Sequence, residues 1–215
     1  MAKIGVFIEQ KNGKVLPVGL ELLSEVNKQI ANVAMEVIAV VITASLDDEN
    51  IEKIKACGAS KILILKHKNF AQYDTHDYNF ALSQTLKDED FDDFLLGSTL
   101  VGRDLAPRLS ARVHTGLTAD ATILEFAVGD RLELLATRPA LGGNLMATII
   151  CPQHRPQMAT IRPGVFSIYH HPRETVEIVE KEITLLDTSK VRHISHTPIV
   201  RQGPDLTKAK MIVAG

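Results

Sequence analysis

The sequence predicts an α/β fold, a parallel sheet flanked by helices with an added β-rich portion. Short apolar, β-prone runs such as Ile4–Ile8 (IGVFI) and Val37–Ile42 (VIAVVI) are uninterrupted by polar residues, as strands buried on both faces require. Between them lie amphipathic stretches long enough for a crossover helix. From Thr118 onward the helical periodicity stops, and shorter alternating runs separated by Gly and Pro take over.

Each element has its own signal. Ile4–Ile8 is the first strand, and Lys11–Lys14 turns at Asn12-Gly13. A helix is expected over Pro17–Ala34, with Leu22, Val26, Ile30 and Val33 on one side. Val37–Ile42 is the second strand. Asp47–Cys57 is a short helix, acidic at its start and stopped by Gly58. Lys61–Leu65 is a third strand, Asp74–Leu86 a helix, and Phe91–Leu96 a fourth strand. Thr118–Phe126 is a strand candidate, and the turn at Gly129-Asp130 makes a hairpin with Arg131–Arg138. Asn144–Ile150, Met158–Arg162 and Thr175–Thr184 continue the β character. Residues 192–205 have the composition of a linker, with a turn or short helix at Asp205–Lys208. The apolar run Met211–Ala214 reads equally as the first strand of a second domain or as an edge strand of the same one.

The chain is organised around Gly97–Asp120, GSTLVGRDLAPRLSARVHTGLTAD. Leu105, Leu109 and Val113 recur every four residues and make one buried face. Pro107 places the helix start near Gly102, because proline belongs in a first turn, and Gly116 is the expected stop. A strand, a Gly/Ser/Thr turn and a helix N-terminus turn backbone N–H groups toward a ligand, or serve capping and packing.

Composition narrows the function classes. The 215 residues carry a net charge of −2 with intermixed signs, so no polyanion-binding surface is implied. Trp is absent and aromatics are 5%, which argues against a base-stacking surface. No apolar run approaches a membrane span. The strand signal at Lys3–Glu9 leaves no room for a leader, and Cys57 and Cys151 lack a motif, so a reduced, cytoplasmic protein is expected. The dinucleotide glycine fingerprint is missing, since Glu9-Gln10-Lys11-Asn12-Gly13 follows the first strand, and no Walker loop occurs. No nucleophile motif or paired carboxylates stand out. His170-His171 and His193-x-x-His196 are the closest histidine spacings, but no further ligand completes a metal set, so none is expected.

Six residues are candidates for a cofactor site. Arg138 precedes Pro139 and leads into Gly142, Gly143 and Asn144. Its guanidinium either binds a phosphate or pairs with a surface carboxylate. The two glycines either let a ligand approach the backbone or simply bend the chain, and Asn144 either bonds that ligand or sits in a turn. Thr118 and Asp120 follow the helix stop as a polar rim or as turn-stabilising residues.

Three blocks occur in order: GRDLAPRLSAR with TGLTAD, TRPALGGNLMAT at Thr137–Thr148, and ATIRPGVF at Ala159–Phe166. Together they resemble the amino-terminal domain of the alpha subunit of electron transfer flavoproteins, from Lys3 to Gly215. The resemblance implies a Rossmann-like sheet of the adenine nucleotide alpha hydrolase kind over residues 1–190. Residues 191–215 would then be a linker and the first strand of a FAD-binding domain that this chain lacks. It also implies an electron carrier rather than an enzyme, working as a heterodimer with a beta subunit. Electrons would pass from flavin dehydrogenases, such as those for acyl-CoA in fatty acid β-oxidation, to a quinone reductase or another acceptor. FAD would belong to the full complex, and AMP or a second FAD mainly to the beta subunit. Arg138 would face an anionic reduced flavin and Asn144 a flavin edge. This chain alone would be scaffold and subunit interface, with an exposed apolar patch and no tightly bound flavin. Two other classes remain: an adenine-nucleotide-binding module of the universal-stress-protein kind, which needs a phosphate-cradling loop, and a structural assembly subunit without a redox role.

Overall fold

The computed structural model describes residues 2–30, 35–129 and 131–186, with 191, 194–195, 197, 203, 206 and 209–215 of the remainder. The described elements begin with β1 (Ala2–Ile8), a tight hairpin of β2 (Gln10–Lys11) and β3 (Lys14–Val15), α1 (Pro17–Gln29), β4 (Met35–Thr43), α2 (Asp48–Ala56) and β5 (Lys61–Lys66). Next come α3 (Thr75–Glu89), β6 (Asp93–Gly97) and α4 (Leu100–Val113). The second half is β7 (Leu117–Ala121), β8 (Ile123–Val128), β9 (Leu132–Ala140), β10 (Leu145–Ile149), β11 (Gln157–Ile161) and β12 (Glu177–Glu182).

Seven strands form the main sheet in the order β12-β5-β4-β1-β6-β11-β7, and every pairing in it is parallel. The chain runs outward from β1 through β4 to β5, then crosses to β6 on the other side, so the order reverses between β1 and β6. Strand alternation divides the core. Ile4, Val6 and Ile8, with Val37, Ala39 and Val41, pack under α1, α2 and the three-stranded sheet β10-β9-β8. Phe7, Ile38, Val40 and Ile42 face α3 and α4 on the other side.

The α/β expectation holds, with differences in detail. Helix α4 starts at Leu100, earlier than Gly102, because Thr99 caps it and Pro107 is accommodated inside the helix. His114, at φ 58°, ends the helix, not Gly116. The single strand expected over Thr118–Phe126 is two strands in two sheets. Asp120 takes φ 58°, and the chain leaves the main sheet there. The hairpin β8–β9 is antiparallel as expected. However, β11 returns to the main sheet between β6 and β7, so the β-rich half supplies three of the seven parallel strands. Helix α1 is described as far as Gln29; Ala31–Ala34, Asp130, most of the 192–205 linker and most of the Asp205–Lys208 turn lie outside the described residues. Met211, Ile212 and Val213 are exposed and in no strand.

From β11 to β12 the chain has no helix to cross with, and residues 162–176 run as a strap over α1. The Gly164 N–H bonds Glu21, and the Tyr169 N–H and C=O both bond the Ser24 hydroxyl. The His171 N–H reaches Ala56 O, and Arg173 bonds Gly58 O at 2.7 Å and the Asn27 side chain at 2.8 Å. Burial raises the Glu21 pKa against that one backbone bond.

Candidate functional site

The carboxyl ends of β1, β6, β11 and β7 meet at the reversal between β1 and β6, where open α/β sheets bind their ligands. Glycines set the spacing here. A Cβ on Gly102 would lie 1.8 Å from Gly97 O, and one on Gly97 would lie 2.6 Å from Val18. The first turn of α4 therefore rests directly on the end of β6, and both glycines serve close packing.

The N-terminus of α4 is already capped from within the chain. Thr99 Oγ1 accepts from the Gly102 N–H at 3.0 Å and donates to the Glu9 carboxylate. Glu9 is 8% exposed; burial raises its pKa, opposed by the Thr99 bond and by Lys11. In nucleotide-binding sheets a phosphate takes this place beside backbone N–H groups. Here the Thr99 hydroxyl takes the Gly102 N–H and the Glu9 carboxyl group backs it, which weighs against the stress-protein type of nucleotide binding.

Of the six candidates, Thr118 and Asp120 lie on β7. Thr118 is buried and pairs in register with Ala159. Asp120 projects between two arginines, with Arg162 at 2.7 Å and Arg103 at 3.8 Å. The hydrogen bond from Arg162 is the main cause of its lowered pKa, followed by the Arg162 charge, a Ser98 hydrogen bond and the Arg103 charge; burial opposes them. Arg103 is also anchored by donation to Ser98 O and Oγ.

Arg138 lies on β9, paired with Ala147 of β10, and Gly142, Gly143 and Asn144 belong to the turn that joins the two strands. Gly142 and Gly143 have φ of +73° and +90°, which glycine adopts at no steric cost, and a Cβ on either would meet nothing within 4 Å. The turn is thus open. Among the described residues, no hydrogen bond or ion pair engages the Arg138 guanidinium, and none joins the turn to Asp120. The two groups nonetheless share one end of the molecule. Thr122, two residues after Asp120, donates its N–H to Thr137 O, next to Arg138, at 2.8 Å.

Beside the turn lies an exposed apolar face. Leu141, Leu145, Met146 and Ile150 are each more than half exposed, and β10 is an edge strand. Sequence reasoning found the turn and Asp120 but missed Glu9, Thr99, Arg103 and Arg162 as a group. Arg162 stands inside the block ATIRPGVF, which was the available signal; Glu9 had none beyond being an acid at a strand end. Away from this edge, Asp74, His76 and Asp77 bring ligand atoms within 4.8 Å of one another. Asp74 is there the cap of α3, accepting from the Asp77 N–H.

The model of the electron transfer flavoprotein domain matches residues 4–186. The chain is 40% identical over 220 residues to a protein named FixB from Clostridium saccharobutylicum, covering 99% of this chain and 63% of that one. It is 39% identical to the electron transfer flavoprotein subunit alpha of Clostridium acetobutylicum, covering 99% of this chain and 64% of that protein. It is 32% identical to subunit LctC of the lactate dehydrogenase (NAD(+),ferredoxin) of Acetobacterium woodii, covering 98% of this chain and 50% of that one. The chain thus spans one half to two thirds of the length of these curated relatives. With its parallel sheet, its appended three-stranded sheet and a family match over most of its length, the chain belongs to the electron transfer flavoprotein domain family.

Proposed function

We propose that this chain is the amino-terminal part of an electron transfer flavoprotein alpha subunit and serves as its scaffold and subunit interface. The observation that carries the proposal is the identity to alpha subunits over 99% of this chain. Residues 1–190 form the α/β domain, and 191–215 lead toward a FAD-binding domain. The assembly is a cytoplasmic electron carrier rather than an enzyme in its own right. It takes electrons from flavin dehydrogenases and delivers them to a quinone reductase or another acceptor. A relative named as an acryloyl-CoA reductase electron transfer subunit supports a partner that works on CoA thioesters.

The described residues fit one wall of a flavin site rather than an enclosing pocket. Arg138 offers guanidinium N–H donors to an anionic ring or phosphate, Gly142 and Gly143 leave the backbone open to close approach, and Asn144 offers an amide. Asp120 orients Arg162 and Arg103 at the same edge. Thr118, buried in β7, holds that strand in register. The flavin supplies the one- and two-electron chemistry when bound. AMP or a second FAD belongs mainly to the beta subunit. The apolar face of β10 is the contact for that subunit, being an exposed patch next to the candidate turn.

Mixing the purified chain with its cognate beta subunit tests the reading. The two are expected to co-elute, and Leu145→Asp, at a 57% exposed position, is expected to weaken association at least tenfold (about 1.4 kcal/mol) while leaving the circular dichroism unchanged. A chain that stays monomeric beside its partner overturns the interface. A stoichiometric flavin spectrum from the chain alone overturns the scaffold role.

A further inference from the structure

At the opposite, amino-terminal end of the sheet lies a buried polar cluster that no part of the proposed function uses. Asp93 opens β6 and is fully buried. Gln157 opens β11, pairs with Asp93 in register and is 1% exposed. Its amide donates to Asp93 Oδ1 at 2.9 Å and to Leu132 O at the start of β9 at 3.3 Å. Arg155 donates to the same Leu132 O at 3.1 Å and to Glu133 at 3.0 Å. The cluster is therefore a joint between the main sheet and the three-stranded sheet.

Its hydrogen-bond inventory does not close with all acids ionised. The buried atoms without a partner include Asp93 Oδ2, Glu133 Oε2, Gln157 Oε1 and Arg155 Nε, a count of three acceptors to one donor. A proton on Asp93 Oδ2 turns an acceptor into a donor and balances the set at two and two. It also balances charge, because Arg155 already has Glu133 as its counter-ion and, among the described residues, no salt bridge reaches Asp93. The titratable and charged groups around Asp93 are Arg155, Asp92 and Glu133, with Lys87 and Asp90 across an adjoining cavity of about 160 Å³ lined also by Arg155.

We propose that Asp93 is held as a neutral carboxylic acid whose proton locks the three-stranded sheet to the main sheet, so that the joint loosens when the proton leaves. Burial is the main force that raises its pKa, to about 7, with Asp92 and Glu133 adding to it and the Gln157 bond and Arg155 opposing it. A raised folded-state pKa gives stability that is complete below the unfolded value and is lost as pH rises through the folded one.

Infrared difference spectra of the full chain read the proton directly. The carbonyl stretch of a protonated carboxyl should persist toward neutral pH, titrate near pH 7 and be missing from Asp93→Asn. In denaturant, the unfolding constant of the unmodified chain relative to Asp93→Asn should rise about tenfold per pH unit from about pH 4 to about pH 7, then level off. A spectrum without that band at about pH 6, or parallel stability profiles for the two proteins, overturns the proposal. Should Asp93→Asn fail to fold, Glu133→Gln frees Arg155 for Asp93 and must move the titration to lower pH; an unmoved titration overturns the proposal as well.

Discussion

Thr99 makes two bonds with one hydroxyl, capping α4 and donating to the buried carboxylate of Glu9. Thr99→Ala removes both. Loss of the cap costs about 1 kcal/mol. The carboxylate left without its donor adds about 1–2 kcal/mol, but only where Glu9 is ionised. Since burial already raises the Glu9 pKa, the deficit should be smaller in acid, where Glu9 is neutral, and larger at neutral pH. Urea midpoints measured at two pH values check this; equal deficits at both would mean that Glu9 gains nothing from Thr99. Asp120 is the contrasting case, a carboxylate between two arginines that are each about half exposed, where ion pairing contributes little to stability and serves mainly to aim the guanidiniums.

Helix α4 shows how close packing fixes an element's position. Gly102→Ala would force a methyl carbon to within 1.8 Å of Gly97 O, a backbone atom that cannot swing away. The expected cost is about 3 kcal/mol, read as a lowered melting temperature or as insoluble protein. The amphipathic helices and uninterrupted apolar strands were legible because burial on one face or two writes a period into the chain. Pro107 misled, because tertiary packing of Leu105 and Leu109 holds the helix through a residue that weakens it. Thr118–Phe126 read as one strand because the turn at Asp120 depends on a left-handed conformation that its sequence does not announce. The Leu141–Asn144 turn was legible from its glycines. The cluster of Glu9, Thr99, Arg103 and Arg162 was not, because Glu9 and Arg162 reach the start of α4 from distant parts of the chain and each residue type is ordinary singly. Asp93 was hidden the same way, as the polar first residue of the apolar run DFLLG.

The strap of residues 162–176 ties the two ends of the main sheet together, since it starts at β11 on one side and delivers β12 to the far edge. Ser24, fully buried in α1, is its central anchor through both backbone groups of Tyr169. Ser24→Ala should leave those two groups short of partners, cost about 2 kcal/mol and make the strap the first site of limited proteolysis. Cleavage elsewhere, with the strap intact, would show that Arg173 and the Glu21–Gly164 bond suffice. The strap also has a consequence for the order of folding. Strand β5 pairs with β12, and Lys61 meets Glu177 across more than a hundred intervening residues. Until that distant segment is made and docked, Ile62, Leu63, Ile64 and Leu65 line an open sheet edge ready to accept any passing strand. The segment that eventually covers this edge carries Glu177, Glu180, Lys181 and Glu182, so the finished molecule presents charge where the nascent one presents a template for aggregation.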